Sequence, residues 1–204
     1  MTKVIADITM SLDGFVTAPN AGPDAGLGDD GMPLHAWVFG GHDVDEAVLA
    51  ATTERSGAVV MGRNLFDVVD SPGGWDDNIG YGAHNVGRPP FFVVTHAPPT
   101  SRRLTTLDFT FVTGGVVAAI DQAHAVCPPA KDIVIMGGGN VIAQALDAGL
   151  LDELTVHISP IVFGGGTPLF DGVDRRLLVQ TDVRVSPHAT HITYSLDRTV
   201  VSDV

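Results

Sequence analysis

Short runs of consecutive apolar residues, separated by segments with helical spacing, restrict the possible folds of this chain more than any other feature. The runs are rich in Val, Ile and Phe and lie at residues 58–61, 91–95, 109–112 and 132–136. The segments with one apolar helical face lie at residues 43–55, 116–126 and 140–148. Strands that are apolar at every position are typical of parallel sheets with helices on both faces. The sequence therefore predicts an α/β fold with a mostly parallel central sheet.

The C-terminal part of the chain predicts strands of a different kind. Residues 178–185 and 190–196 alternate apolar and polar side chains on either side of Ser186-Pro187-His188. This pattern indicates an antiparallel hairpin. Residues 154–163 predict a long strand, and we expect a hairpin or a bulge at the glycines 164–166 that follow it.

Two segments predict long loops, because Gly, Pro and Asp are concentrated in residues 18–42 and 70–90. A loop of more than about 15 residues in a compact domain is usually a lid or a binding loop. The chain has 204 residues, of which 45% are hydrophobic and 17% charged, so it is long and apolar enough to bury a full core. We expect a single domain over residues 1–204.

The chain is strongly acidic, with a formal net charge of −13 at pH 7. Nucleic-acid binding requires a basic surface that displaces counterions from phosphates, and anionic membrane surfaces repel a protein of this charge. The first residues show no signal-peptide pattern, and no apolar run approaches the ~18 residues of a membrane helix. We therefore expect a cytoplasmic protein without nucleic-acid or membrane partners.

The strongest local motif is Ile135-Met136-Gly137-Gly138-Gly139-Asn140-Val141-Ile142. A strand, three glycines and a helix start allow backbone N–H groups to approach a phosphate at the positive end of the helix dipole. The motif is not the full dinucleotide fingerprint, because Ile142 stands where the last glycine is needed. A tight turn without a ligand is the alternative, but three consecutive glycines are costly to order.

Two further strand ends carry side chains that suit an anionic ligand. Arg63 follows a buried strand, and guanidinium groups bind phosphate in a bidentate manner. Thr95 and His96 end the next strand. Ligands of open α/β sheets bind outside the carboxyl ends of the strands, so these ends and the glycine motif are predicted to form one crevice.

The sequence gives little indication of a metal-binding site. The eight histidines form no His-Glu-x-x-His pair, and there is one cysteine. We expect no metal, and we expect His188 and His191 of the terminal hairpin to lie at the surface. Trp37 and Trp75 lie in or beside predicted loops. Their rings could stack on a planar substrate or pack the loops against the core, and packing against the core is favoured.

Taken in order, these segments resemble the dihydrofolate reductase-like superfamily. The closest branch contains the C-terminal reductase domain of the riboflavin-biosynthesis deaminase–reductase, here in a stand-alone form. The segments that carry the resemblance are Met10-Ser11-Leu12-Asp13-Gly14-Phe15, Val60-Met61-Gly62-Arg63, Val93-Val94-Thr95, residues 134–139 and residues 151–170. The resemblance implies a three-layer fold and a homodimer formed through terminal-strand or sheet-edge contacts.

The resemblance also implies an NADPH-dependent reductase that transfers a hydride to a small heterocycle. Pteridines, pyrimidines and riboflavin precursors are the substrate classes, with 5-amino-6-(5-phosphoribosylamino)uracil reductase as the type of the branch. Residues 13–42 contain no Lys or Arg, which argues against a phosphoribosyl substrate. The alternative is an NADP(H)-binding protein without reductase chemistry, acting as a sensor or partner.

Cofactor contacts are implied residue by residue. The resemblance implies contacts with the cofactor phosphates at Gly62, Arg63 and Asn64, and contacts near the adenosine 2′-phosphate at Thr95 and His96. It implies contacts with the pyrophosphate at Gly137, Gly138, Gly139, Asn140 and Val141. Asn140 stands where some family members have an arginine. Ile142 is implied on the nicotinamide side, Gln144 near the adenosine, and Thr9, at the end of the first strand, beside the nicotinamide carboxamide.

A catalytic carboxylate is the least defined part of the resemblance. Folate-reducing relatives have one on the first helix, where it orients and helps to protonate the pterin. Counting back from Met61-Gly62-Arg63 without a gap places it at Glu46. A helical wheel puts Glu46 about 200° from Val44, nearly opposite the apolar face, which favours an ordinary solvated glutamate.

Overall fold

A computed structural model describes residues 2–76 and 88–196 of the chain. Part of the loop predicted at 70–90 lies outside the described residues. The strands are β1 (Val4–Ser11), β2 (Phe15–Thr17), β3 (Ser56–Gly62), β4 (Phe91–Val94), β5 (Phe109–Val112), β6 (Asp132–Gly137), β7 (Glu153–Ser159), β8 (Thr167–Pro168), β9 (Val179–Val185) and β10 (Thr190–Ser195). The helices are α1 (Ala36–Phe39), α2 (Asp43–Arg55), α3 (Arg63–Val69), α4 (Gly115–Val126) and α5 (Gly139–Asp147), and Met32–His35 forms a 3₁₀ helix.

Eight of the strands form one sheet in the order β5-β4-β3-β6-β1-β7-β10-β9. The six strands from β5 to β7 are parallel, whereas β10 runs antiparallel to β7 and β9 antiparallel to β10. The predicted mostly parallel sheet with a C-terminal antiparallel hairpin is therefore confirmed. Strands β2 and β8 pair separately in an antiparallel manner.

Helices cover both faces of the parallel part of the sheet. On one face, α4 and α5 pack on alternate residues of the central strands, such as Ala6, Val60 and Ile135. On the other face, Phe66 of α3 packs on the neighbouring residues of the same strands, such as Met61. All seven residues of β3 are buried, as the continuous apolar runs predict for central parallel strands.

Three expectations about segment boundaries are wrong. The predicted loop at 18–42 contains the 3₁₀ helix and α1, because Leu34 and Trp37 supply buried apolar side chains. Strand β7 ends at Ser159, four residues short of the predicted end. Strand β1 continues to Ser11, since its pairing with β7 extends to Ser159, so Thr9 does not end the first strand.

Asp13 joins the turn after β1 to the glycine-rich segment before β8. Its carboxylate accepts hydrogen bonds from Ser11 Oγ at 2.6 Å and from the backbone N–H of Gly164 at 2.7 Å. These hydrogen bonds, that of Ser11 foremost, lower the pKa of Asp13. Gly166 has φ +129°, and a Cβ there would lie 1.9 Å from the Thr17 carbonyl oxygen, so the close approach of the two strands requires glycine.

Candidate active site

The carboxyl ends of β3, β4 and β6 meet at one edge of the sheet, because β3 lies between the other two strands. The Arg63 guanidinium crosses from β3 towards β4. Its Nη1 donates to the Ala97 carbonyl at 2.8 Å and lies 3.5 Å from Thr95 Oγ1, while its Nε donates to Asp67 at 2.7 Å. The structure therefore brings Arg63 and Thr95 together, as predicted.

Four glycines at the ends of β3 and β6 and at the start of α5 form a stretch of backbone without side chains that we call the glycine cradle, comprising Gly62, Gly137, Gly138 and Gly139. A Cβ at Gly62 would lie 3.6 Å from the Gly138 nitrogen, so the ends of the two strands are in contact. The Gly137–Gly138 peptide bond is cis. A Cβ at Gly138 would meet nothing within 4 Å, so open space lies beside this backbone.

Helix α5 begins in the cradle, with Gly138 as its N-cap residue and no side chain capping it. The first turn of a helix leaves N–H groups without intrahelical partners, and these carry the positive end of the helix dipole. The cradle thus presents backbone donors beside open space, next to the Arg63 side chain. This arrangement suits a phosphate-containing ligand.

The other predicted cofactor residues divide into two groups. Val141 and Ile142 are buried residues of the first turn of α5, and their backbone N–H groups donate to the Gly138 carbonyl. Asn140 and Gln144 are exposed on α5, where Gln144 Nε2 donates to Asn140 Oδ1 at 2.6 Å. Exposed positions at the strand ends are occupied by Asn64 and His96.

Thr9 lies on the face of β1 that is opposite to α5. Its hydroxyl accepts a hydrogen bond from the Trp37 indole at 3.0 Å, and both side chains are buried. Trp37 therefore fills the space between α1 and the sheet, as favoured from the sequence. Trp75 is partly buried against the apolar cluster around Phe91.

The first turn of α2 orients two neighbouring carboxylates in opposite directions. Glu46 is exposed, in agreement with the helical wheel, whereas Asp45 is only 1% exposed. Asp45 Oδ1 lies 2.8 Å from His191 Nε2, and its Oδ2 lies 3.0 Å from His188 Nδ1. The buried carboxylate of this helix is therefore one residue before the position that the gap-free count selects.

Asp45 ends a line of ionisable groups that crosses three strands, which we call the buried polar row: Asp7, His157, His191 and Asp45. His157 Nε2 lies 3.1 Å from Asp7 Oδ1, and His157 Nδ1 lies 2.8 Å from His191 Nδ1. Thr52 of α2 donates to the second oxygen of Asp7 at 3.0 Å. The predicted surface position is thus wrong for His191, which is 3% exposed because α2 and Trp37 cover β10.

Burial and hydrogen bonding act in opposite directions on the pKa values of the row. Burial raises the pKa of Asp7, but the charge and the hydrogen bond of His157 outweigh it and leave the pKa below 3.8. Burial likewise opposes ionisation of Asp45, and hydrogen bonds from Ser186, His188 and His191 lower its pKa. Burial lowers the pKa of His191 despite its contact with Asp45. Burial, and after it the charge of His157, lowers the pKa of His35 to about 4.

The sequence interpretation missed the buried polar row, although it leaves a signal in two strands. Asp7 interrupts the apolar run of β1, and His157 interrupts that of β7. A polar side chain at an inner position of a buried strand requires a partner. Within residues 2–76 and 88–196, no three His, Cys, Asp or Glu side chains are placed to hold a metal ion.

The fold is that of the dihydrofolate reductase-like class. One similar solved structure is a candidate riboflavin biosynthesis protein from Shewanella sp. PV-4, with 23% sequence identity and a TM-score of 0.68 over 96% of this chain and 99% of that chain. Another is a pyrimidine reductase-like protein from Corynebacterium diphtheriae, with 19% sequence identity and a TM-score of 0.63 over 96% of this chain and 92% of that chain. A third is dihydrofolate reductase from Enterococcus faecalis in complex with NADP(H) and RAB-propyl, with 15% sequence identity and a TM-score of 0.56 over 96% of each chain. The resemblance in fold inferred from the sequence is therefore confirmed.

Residues 2–192 match the family model of the RibD C-terminal domain, so the chain belongs to this family. The family and the dihydrofolate reductase-like neighbours point to an oxidoreductase. No curated protein sequence matches the chain. No helix in the described part of the chain is long and apolar enough to cross a membrane.

Proposed function

We propose that the protein is an NADPH-dependent reductase that transfers a hydride to a small heterocycle. The observation that carries this proposal is the meeting of the Arg63 guanidinium, the glycine cradle and the start of α5 at adjacent strand ends. Backbone donors and a guanidinium around open space have the chemistry that a pyrophosphate and a further phosphate require. Membership of the RibD C-terminal domain family supports the same activity.

The residues of the cradle fit the cofactor phosphates. The backbone of Gly138, Gly139 and Asn140 would bind the pyrophosphate, because a Cβ at Gly138 would enter the open space. Arg63, with the neighbouring Gly62 and Asn64, would bind phosphate at the end of β3. To do so, Arg63 would exchange part of its contact with Asp67 or the Ala97 carbonyl for the ligand.

The remaining contacts follow from the direction of the strands. Thr95 and His96 lie beside Arg63 and would bind the adenosine 2′-phosphate, with Gln144 near the adenosine. A Cβ at Gly137 would lie 3.7 Å from Ile8 Cδ1, so β1 passes next to the cradle and brings the backbone of Thr9 towards the nicotinamide. Bound NADPH supplies the hydride. The protein holds donor and acceptor face to face and excludes water.

The substrate class within this proposal is a pteridine, a pyrimidine or a riboflavin precursor. The reaction type of the branch is reduction of 5-amino-6-(5-phosphoribosylamino)uracil. Residues 13–42 contain four Asp and no Lys or Arg, which favours a substrate without the ribose phosphate.

A homodimer through the sheet edge belongs to the same proposal. Every residue of the edge strand β9 is exposed, including Val179, Val183 and Val185. Exposed apolar edge strands are sites of strand pairing between chains. Light scattering measures the mass directly: we expect a dimer, and we expect Val183→Lys to give a monomer. A monomeric wild-type protein would contradict this part of the proposal.

The decisive test of cofactor binding is thermal unfolding with NADPH, NADP, NADH and flavin added separately. A ligand at about 100 times its Kd stabilises the folded state by about 2.7 kcal/mol. We expect this shift with NADPH, and we expect Arg63→Ala to reduce it. Arg175→Ala is the matched control, because Arg175 is an exposed arginine between β8 and β9, outside both the cradle and the proposed dimer edge. Absence of a shift with every nicotinamide nucleotide would overturn the proposal.

The alternative function is an NADP(H)-binding protein without reductase chemistry. Both functions give the same thermal shift, so the two are separated by following NADPH oxidation with dihydrofolate, pyrimidine and quinone substrates. Oxidation that depends on a substrate supports the reductase. Binding of NADPH without oxidation across the panel favours the alternative.

A further inference from the structure

The 3₁₀ helix and α1 follow each other directly and are attached at the carboxyl ends of two parallel strands. We call these residues, 32–39, the Trp37 segment. Ser159 Oγ, at the end of β7, donates to the Leu34 carbonyl at 2.6 Å, and the Trp37 indole donates to Thr9 Oγ1 of β1 at 3.0 Å. All four residues are buried, so the position of the segment on the sheet is fixed.

The chain before the Trp37 segment crosses the strand ends next to the glycine cradle. A Cβ at Gly26 would lie 2.6 Å from Val68 Cγ1 of α3, whereas Leu34 is bonded to the end of β7. Helix α3 lies over β3 and β4, and the sheet order places β6 and β1 between β3 and β7. Residues 26–34 therefore pass over the ends of β6 and β1, from α3 to the Trp37 segment.

The end of β6 is open on the face of the sheet that carries α3 and the Trp37 segment. Met136 is only partly buried there, although Val134, two residues earlier on the same side of β6, is fully buried. A Cβ at Gly137 would lie 3.0 Å from Leu65 Cδ2, so α3 borders this end. The cradle, α3 and the Trp37 segment thus surround a cleft at the carboxyl edge, where open α/β sheets bind their ligands.

His35 belongs to the Trp37 segment, and its imidazole has no hydrogen-bond partner among the described residues. Burial, and after it the charge of His157, lowers its pKa to about 4, so the ring is neutral. In residues 2–76 and 88–196, the fully buried side-chain atoms without a partner include no nitrogen of His35, so both ring nitrogens reach open space. A neutral imidazole offers one donor and one acceptor, and within the described structure neither is used.

The other histidines near α1 and α2 differ from His35 in this respect. Each of them hydrogen bonds to a protein group: His42, His157, His188 and His191. A polar group that is largely removed from water without a partner costs folding free energy. A ligand that hydrogen bonds to His35 would remove this cost.

We propose that His35 is a substrate-binding residue, and that its ring hydrogen bonds to a polar edge of a planar heterocycle held in the cleft. This inference rests on the proposed reductase function, which requires a hydride acceptor beside the nicotinamide. In that function the nicotinamide lies next to β1, and the Trp37 segment is bonded to β1 at Thr9. The heterocycle would therefore lie between the cofactor and His35.

The chemistry around His35 favours an uncharged substrate. A neutral imidazole accepts from a ring N–H or donates to a carbonyl or a ring nitrogen, and pyrimidines and pteridines carry these groups along one edge. Met32 is 63% exposed and lies on the same side of the 3₁₀ helix as His35, because side chains three residues apart eclipse there. Residues 13–42 supply no Lys or Arg for a phosphate. The substrate class is therefore a phosphate-free pyrimidine or pteridine.

The first test measures whether the fold itself uses the His35 ring, and it needs neither cofactor nor substrate. It compares urea denaturation of wild type, His35→Leu and His35→Gln at a pH where histidine is neutral in the folded and the unfolded chain. Leucine removes a polar group that has no partner, so His35→Leu should unfold at the same urea concentration as wild type or at a higher one. His124→Leu replaces an exposed histidine in the last turn of α4 and is the control, with little expected change. A lower midpoint for His35→Leu than for His35→Gln would show that the ring bonds within the fold, and would overturn the inference.

The second test measures contact with the ligand without turnover. In NADP⁺-bound protein labelled with ¹⁵N-histidine, comparison with His35→Gln assigns the NMR signals of the His35 ring. We expect 5,6-diaminouracil or 7,8-dihydropterin to shift these signals and to leave those of His124 in place. The inference is wrong if a probe binds without moving the His35 signals, and it is equally wrong if neither probe binds.

The third test uses NADPH and whichever heterocycle the substrate panel shows to be reduced. His35→Leu should raise KM about tenfold, because a polar group of the substrate then loses its hydrogen bond. The change in kcat should be smaller, since the contact is present before and during hydride transfer. His35→Gln keeps a donor and an acceptor and should stay within about threefold of the wild-type KM. The Kd for NADPH should be the same in all three proteins.

These tests separate the inference from the proposed function. If NADPH produces no thermal shift, the reductase proposal fails, while urea denaturation still decides whether the fold uses the His35 ring. If NADPH binds and a heterocycle is reduced with the same KM by wild type and His35→Leu, the reductase stands and the role of His35 fails.

Discussion

The glycine cradle and the buried polar row lie on the same sheet and obtain their properties in opposite ways. The cradle consists of backbone at strand ends, and within the described residues the neighbouring Arg63 is held by contacts that a ligand could replace. The row consists of buried side chains, three in mid-strand and one, Asp45, on α2, each fixed by partners on other elements. The comparison leads us to expect that substitutions at the cradle change ligand binding with little effect on folding, whereas substitutions in the row change folding.

The largest expected effect is on the row. Asp45 accepts side-chain hydrogen bonds from His191 and His188, and a hydrogen bond to a charged group contributes about 1.5–3 kcal/mol, so losing both costs about 3–5 kcal/mol. Asp45→Ala should therefore lower the free energy of unfolding by about this amount in urea denaturation. Glu46→Ala is the matched control on the same turn, and we expect it to change stability by less than about 0.5 kcal/mol. Similar losses for the two variants would contradict the opposite orientations of these carboxylates.

The glycine cradle could be predicted from the sequence because its signals are local. Gly137, Gly138 and Gly139 follow an apolar run directly, and Arg63 follows another. The parallel order of β3, β4 and β6 then brings the ends together without further information. Local chemistry and simple topology were sufficient there.

The buried polar row could not be predicted in the same way. His157 and His191 are 34 residues apart, and their contact depends on the antiparallel register of β7 and β10. A gap-free count selected Glu46, but the orientation of α2 over the sheet buries Asp45. Register and helix orientation result from tertiary packing, which residue spacing does not specify.

The next largest expected effect is a loss of folding stability at acid pH. The folded protein holds the pKa of His35 at about 4, whereas the unfolded chain titrates near 6.5. Between these values the unfolded chain binds a proton that the folded protein does not, so stability falls as the pH falls through this window. The difference corresponds to about 3 kcal/mol, complete near pH 4.

Denaturation of wild type and His35→Gln across this pH window checks that value. The variant should lose the part of the pH dependence that His35 contributes, and both proteins should retain any loss at lower pH from Asp7 and Asp45. Those carboxylates have lowered pKa values, so their contribution is present above about 3.8 and is lost below it. Equal slopes for the two proteins would show that His35 is not buried in its neutral form.

A smaller loss of stability is expected at the hydrogen bond between Trp37, which packs on the buried polar row, and Thr9. Trp37→Phe removes the indole N–H that donates to Thr9 but retains most of the apolar volume. A neutral buried hydrogen bond contributes about 1 kcal/mol, so we expect a loss of that size. A double-mutant cycle with Thr9→Val isolates the pair, and a coupling energy near zero would contradict the contact.

The smallest stability effect is expected on α5, the helix that begins in the cradle. Gln144→Ala removes the hydrogen bond to Asn140 on the exposed side of α5, and such pairs contribute about 0.2–0.5 kcal/mol to helix stability. Alanine has a higher helix propensity than glutamine, which offsets part of this loss. The free energy of unfolding should therefore change little. If Gln144 contacts the adenosine, the Kd for NADPH should rise in the same variant, while Gln122→Ala on the exposed side of α4 should leave it unchanged. A large loss of stability in Gln144→Ala would remove the contrast between the two regions, because the cradle would then depend on side-chain packing as the row does.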